Sequence, residues 1–268
     1  MWLGGQGWQY KDWIGSFYPE GTQLKDMLPE YARVFRSVEV DSSYYGAPRA
    51  GTVEGWRRHS PEDFRFALKT PAEITHERRF RDADAPFAEF VETVRGLGPK
   101  LGAILIQCPP DFDPAPDHRE ALFRFMRTQK PADVNVALEL RDWRWYDDAL
   151  FALARECGVA LAVTEGTHAD LQLANQIVDE LVAAPPADFA YLRWLGDRSL
   201  TAYDRVQISR TNSLDVWERL MRALGRGVRD IYGYANNHYQ GHSPATVREI
   251  LARLGEPIPP ETTAPRLL

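Results

Sequence analysis

The sequence predicts an α/β protein built as a single closed (β/α)8 barrel. Three observations carry that reading. Short apolar or alternating β-rich runs recur about every 25 to 42 residues, each followed by a stretch whose apolar residues have helical spacing. There are eight such runs, the number of staves that closes a barrel. No linker or shift of composition divides the 268 residues, and barrels of this kind occupy about 250 residues as one domain. The barrel is placed at residues 1–255 and a Pro-rich tail at 256–268.

The first strand is expected from Trp2 to Gln6. The others are expected at Ser37 to Asp41, Phe64 to Lys69, Gly102 to Gln107, Val134 to Glu139, Val159 to Val163, Phe189 to Arg193 and Ile231 to Asn236. Their β-branched and aromatic residues suit a pleated surface packed on both sides. Between the runs, apolar residues fall three and four apart. Examples are Met27, Leu28, Tyr31, Ala32 and Phe35, then Phe87, Phe90, Val91 and Val94. Ala121, Leu122, Phe125 and Met126 repeat the pattern, as do Leu214, Trp217, Leu220 and Met221. Each helix thus has one face to lay on the strands. Ser243-Pro244 opens a last helix with Pro in its first turn, and Gly255 closes it after Leu254.

Charge and cysteine usage narrow the function. A net charge of −6, from 32 basic and 38 acidic residues, repels polyanions, so nucleic acid is disfavoured as a partner. Cys108 and Cys157 build neither a disulfide framework nor a four-thiolate metal site. The N-terminus lacks a basic segment followed by an apolar one, and no apolar run approaches the roughly 20 residues of a membrane span. A cytoplasmic protein with no membrane partner is expected.

Active sites of such barrels lie at the C-terminal strand ends, so the polar residues there decide the chemistry. Strand parity orients them. In Ser37-Val38-Glu39-Val40-Asp41 the valines share the helix-facing side, leaving Ser37, Glu39 and Asp41 inward. The same split turns Ala67 and Lys69 inward, and likewise Glu139 and Arg141. Gln107 ends the fourth strand, Glu165 follows the sixth, Arg193 ends the seventh, and Asn236 and Asn237 end the eighth. Burying charge costs free energy that a purely structural core avoids, so this convergence points to function. A structural reading, in which strand-end charges merely pair and cap the barrel, stands beside it. Aromatic residues crowd the same rim, among them Trp8, Tyr10, Tyr44 and Tyr45. Sugar rings and nucleobases stack on such faces, and Trp8 and Tyr10 are the ones expected to do so.

Other motifs fail. Gly5-Gln6-Gly7 begins a dinucleotide fingerprint, but Tyr10 stands where its third glycine belongs. His238 and His242 are four apart within Asn, Gly and Pro, which indicates a loop rather than a metal-binding helix face. Cys108 has parity opposite to Gln107 and reads as a buried structural thiol. No cofactor and no metal site are expected.

Gly7-Trp8-Gln9-Tyr10-Lys11-Asp12-Trp13, Phe17-Tyr18-Pro19-Glu20-Gly21 and Val38-Glu39-Val40-Asp41-Ser42-Ser43-Tyr44-Tyr45 resemble the YecE-like family, domain of unknown function 72. The resemblance continues through Phe64 to Pro71, Ile74-Thr75-His76, Gln107 to Phe112, Glu139-Leu140-Arg141, Tyr191-Leu192-Arg193 and Asn236-Asn237. It implies a TIM-type barrel and supplies no reaction. The family usually carries Asn at the position of Asp41, His at Asp142 and His at Leu195. If either histidine is catalytic in relatives, the resemblance implies a lost or altered step here.

The expected function is metal-independent enzymatic work on a small anionic or sugar-like molecule. Glu39, Glu139 and Lys69 are the catalytic candidates. Trp8, Tyr10, Gln107, Arg141, Arg193, Asn236 and Asn237 are the binding candidates. Glu39 and Glu139 would serve as acid and base, since paired carboxylates about 5 to 9.5 Å apart hydrolyse glycosides; alternatively Glu139 only orients Arg141 or Lys69. Flanking carboxylates should keep Lys69 charged, making it an anion clamp rather than a Schiff-base nucleophile. Two alternatives stay open: a metal-dependent phosphoesterase or nuclease using Glu39, Asp41, Glu139, Glu165 and His76, and a noncatalytic ligand-binding or scaffold protein.

Overall fold

The computed structural model describes residues 1–166, 171–196 and 198–257. Eight parallel strands make one sheet: β1 (Trp2–Gly5), β2 (Ser37–Val40), β3 (Arg65–Lys69), β4 (Leu101–Gln107), β5 (Val136–Glu139), β6 (Ala160–Gly166), β7 (Phe189–Gly196) and β8 (Asp230–Ala235). Consecutive strands pair from β2 to β8, and β8 pairs with β1. The ring closes between β1 and β2. There the Gly7 amide donates to the Glu39 carbonyl at 2.8 Å, forming a parallel bridge between Gln6 and Glu39. The Tyr31 hydroxyl seals the lower seam, accepting from the Gly5 amide at 2.7 Å and donating to the Ser37 carbonyl at 2.9 Å. Gly4 permits this approach, because a Cβ there would lie 1.9 Å from the Ser37 carbonyl oxygen.

The helices of the described residues cover the strands: α1 (Met27–Ala32), α2 (Ala50–Arg58), α3 (Asp84–Val94), α4 (Pro116–Gln129), α5 (Asp148–Cys157), α6 (Leu171–Ala183), α7 (Thr211–Leu224), the single turn α8 (Asn237–Gln240) and α9 (Ser243–Leu254). None is long and apolar enough to cross a membrane. Their ends follow local chemistry. The Asp147 side chain accepts from the Leu150 amide to start α5, and Gly158, at φ +64°, ends it. Pro244 lies in the first turn of α9, with Gly255 at φ +74° beyond its last. The apolar faces read from the sequence are buried in α1, α3, α4 and α7.

Side-chain parity separates two cores. Outward residues such as Val38, Phe66, Ile104 and Leu138 pack beneath the helices. The lumen holds Ala67, Ala103, Leu105, Ala137, Ala160 and Ala162 opposite Phe189, Tyr191, Tyr232 and Tyr234. Small residues on β3 to β6 thus make room for aromatic rings on β7 and β8.

Several boundaries differ from expectation. β6 runs on to Gly166, so Glu165 lies within a strand rather than after it. β5 starts at Val136, two residues later than expected. The segment containing His238 forms a helical turn because the Asn236 side chain accepts from the His238 amide. Of the expected tail, residues 258–268 lie outside the described residues.

Candidate functional site

Arg193 organises the mouth. It lies in the inward row of β7 and is 2% exposed. Its Nε and Nη2 donate to Glu39 on β2, at 3.0 and 2.7 Å, while Nη1 donates to Glu139 on β5 at 2.6 Å. The Tyr191 hydroxyl donates to Glu39 Oε2 at 2.6 Å. Gln107 Nε2 and Arg141 Nε donate to Glu139 Oε1 at 2.7 and 3.2 Å. A buried guanidinium is tolerable only with this degree of pairing. The two carboxyls titrate apart. Burial pushes Glu39 above its ordinary range, and Arg193 offsets only part of that rise. Burial acts on Glu139 in the same sense, but attraction to Arg193 and Arg141 outweighs it and holds the group at about 2.

Above this floor lie two adjoining chambers of about 460 and 530 Å³. They share walls of Gln6, Asp41, Lys69, Gln107, Arg141 and Arg198. Lys69 Nζ lies 4.0 Å from the Tyr44 ring centre and 4.0 Å from Asp41 Oδ1, and among the described residues it makes no hydrogen bond. Burial draws its pKa down to about 8, with Asp41 opposing and Arg193 reinforcing the fall. The flanking carboxylates Asp41, Glu139 and Glu39 do raise it, as expected, but burial outweighs them. Arg141 spends Nε on Glu139 and makes no other hydrogen bond among the described residues. In the second chamber, burial together with Lys69 and Arg141 lowers His76 to about 4. Its Nδ1 lies 2.8 Å from the Thr75 hydroxyl.

The sequence-predicted residues separate into three groups. Lys69, Gln107, Glu139, Arg141, Arg193 and Asn236 line the first chamber. Glu39 lies beneath Arg193, 0% exposed and outside both chamber walls, so it supports the site from behind. Glu139 is tied to the same guanidinium, so the two carboxylates expected as acid and base share one ion-paired cluster. The aromatic candidates are mostly used in packing. Trp8 touches the second chamber, but the residue is 6% exposed and its ring is set edge-on against Trp56 and Phe66. Tyr10 packs on Trp13 and donates to the Gln6 carbonyl at 2.8 Å. Asn237 is a structural cap, its Oδ1 accepting from Trp13 Nε1 and the Ser243 amide.

The donor set considered for a metal does not converge. Glu165 faces the helices, where its Oε2 accepts from Ser213, Trp217 and Tyr239 at 2.5, 2.6 and 2.8 Å. No group of three or more His, Cys, Asp or Glu side chains suited to a metal ion occurs among the described residues. Cys108 is buried on the helix side, and burial pushes its thiol up. Asp142 caps the turn Trp143–Trp145 and pairs with Arg144, whereas Asp41 and Leu195 border the first chamber. Arg198 escaped sequence reasoning because it sits on a loop beyond β7, where strand parity gives no direction.

The sequence and the fold have relatives. The alignment with the YecE protein of Escherichia coli K12 is 35% identical over 114 residues, 42% of this chain and 41% of that protein. The Bacillus subtilis protein YunF is 24% identical over 95% of this chain and 94% of its own length. A crystal structure of a DUF72 family protein from Thermotoga maritima matches with a TM-score of 0.76 at 23% identity, over 95% of this chain and 99% of that one. A xylose isomerase domain containing protein from Salmonella typhimurium matches at TM-score 0.54 and 13% identity, over 94% of this chain and 95% of that one, a likeness of fold alone. The family profile described as protein of unknown function DUF72 matches residues 2–267, and the chain belongs to that family.

Proposed function

We propose that this protein is an enzyme whose barrel mouth holds a compact anionic or polyhydroxylated small molecule. One observation carries the reading. Lys69, Arg141 and Arg198 border both chambers, and the first two keep donors free of protein partners among the described residues. Cations with unspent donors in a partly enclosed cleft favour phosphate or carboxylate over water, because the lowered dielectric strengthens each charge-assisted hydrogen bond. The carboxylates Glu39 and Glu139 are both spent on Arg193, so Lys69, Arg141 and Arg198 outnumber Asp41, the other carboxylate in the chamber walls, even though the whole chain is acidic. Gln107 and Asn236 add neutral donors and acceptors for hydroxyl groups.

In this reading Arg141 and Arg198 orient the anion, and Lys69 is the group that titrates near neutrality. Glu139 stays ionised and fixes Arg141 and Gln107. Glu39 is a positioning residue acting through Arg193. Thermal melts and calorimetry with inorganic phosphate, sugar phosphates and small carboxylates test it. At least one of these should raise the melting temperature of the wild type and lose that effect in Arg141→Ala. Failure of every anion to bind would overturn the reading.

A further inference from the structure

The chain has five lysines, Lys11, Lys25, Lys69, Lys100 and Lys130, of which two are buried. The buried pair differ. Lys100 Nζ donates to the Arg57 and Ser60 carbonyls, both at 2.7 Å, as a structural ammonium should. Lys69 Nζ has no such acceptor among the described residues and opens onto both chambers. Burying an amine without acceptors wastes stability unless another molecule uses its lone pair or its protons. The groups around it are Tyr44 and Asp41 from the loop after β2, Arg193 on β7, Glu39 and Glu139 below, and Arg141 and His76 alongside. Asp41 Oδ1, the nearest carboxylate atom, is itself buried without a hydrogen-bond donor.

We propose that Lys69 is an amine nucleophile that forms an imine with an aldehyde or ketone whose anionic group is held by Arg141 and Arg198. This rests on the anion-binding reading and names its substrate class. The ammonium first passes a proton to Asp41. The Nζ lone pair then bonds to the carbonyl carbon, the C=O electron pair moves to oxygen, and proton transfers give a neutral carbinolamine. Its hydroxyl leaves as water after taking a proton, and the nitrogen lone pair closes the C=N bond. Amine plus carbonyl therefore gives imine plus one water, with no change of oxidation state. Burial and the neighbouring Arg193 supply the neutral amine that this step needs, since Lys69 titrates at about 8. The resulting iminium is an electron sink for proton removal or bond cleavage at the adjacent carbon.

Reductive trapping of the full-length wild type with cyanoborohydride decides the matter. The probes are pyruvate, glyoxylate and glycolaldehyde phosphate, and peptide mass mapping locates the adduct. Lys69 should be labelled at least tens of times faster than Lys11 and Lys25, because at pH 7 roughly a tenth of it is neutral against well under a hundredth of an exposed lysine. Labelling should accelerate as pH rises toward 8, slow in excess inorganic phosphate, and slow in Asp41→Asn with its position unchanged. Lys69→Arg should retain phosphate binding and lose the adduct. If phosphate protects the protein against thermal unfolding but Lys69 is labelled no faster than Lys11, the imine is refuted and the anion site stands. If neither phosphate nor any carbonyl probe binds, both fall.

Discussion

Arg193 grips Glu39 side-on across the lumen, with Nε at 3.0 Å and Nη2 at 2.7 Å, although β8 and β1 lie between their strands. The same guanidinium reaches Glu139 at 2.6 Å, so one side chain fastens three staves. The two arginines of the cluster divide accordingly: Arg193 is spent wholly on protein, whereas Arg141 commits only Nε, to Glu139.

Arg193→Ala should cost about 3–5 kcal/mol, the usual penalty for stranding buried carboxylates. Arg141→Ala should cost less than about 1 kcal/mol in fold stability and yet weaken anion binding by about 2 kcal/mol or more. Urea denaturation and calorimetry on both variants check this. Equal stability losses would contradict the division.

Acid should weaken the fold through Glu139. Its folded pKa, about 2, lies below the ordinary carboxylate value, so the native state binds its proton less readily than the unfolded chain. The stability it contributes is complete above about pH 4.5 and disappears as pH falls through about 2, amounting to about 3 kcal/mol. Glu39, raised by burial, works in the opposite sense and flattens the upper part of that profile. Denaturation of wild type and Glu139→Gln across this range should give a shallower acid slope for the variant.

Glu165→Ala should destabilise the protein by about 3 kcal/mol or more, because three buried donors from Ser213, Trp217 and Tyr239 lose their acceptor. Anion affinity at the mouth should stay within twofold of wild type. A large affinity loss with an unchanged melt would return Glu165 to the site.

Gly4→Ala should cost about 3 kcal/mol or more, since the added carbon would collide with the Ser37 carbonyl and the Tyr31 hydroxyl at the closing seam. Hydrogen exchange should report it first at the Gly5 and Gly7 amides. Normal protection there would show that the seam yields without harm.

Parity made much of this legible. Glu39, Lys69, Glu139 and Arg193 alternate with large apolar neighbours, and a period of two leaves them only one direction to face. What parity could not convey is who pairs with whom. Nothing in the order of residues indicates that Arg193 would take both glutamates and leave Lys69 without an acceptor, because that depends on reach across the lumen. Beyond the strand ends the signal fades altogether. Arg198 sits on a loop, and Trp8 followed the rim aromatics in sequence but turned beneath α2 in space. Glu165 was misplaced for a simpler reason: β6 runs three residues past Val163, where its apolar run ends, so Glu165 keeps the helix-facing parity of Leu161 and Val163.

The lumen itself places a condition on how this barrel can change. Its filling is lopsided, with alanines from β3 to β6 opposite the rings of Tyr191, Tyr232 and Tyr234. In a space packed to solid density, a methyl group added at Ala103 or Ala137 has nowhere to go unless a ring across the axis shrinks. The two halves are joint holders of one fixed volume, and their residues are free to drift only as matched pairs. Divergent relatives that keep the mouth can then differ in which half carries the bulk, and swapping a single stave between two of them should fail where swapping both halves together succeeds.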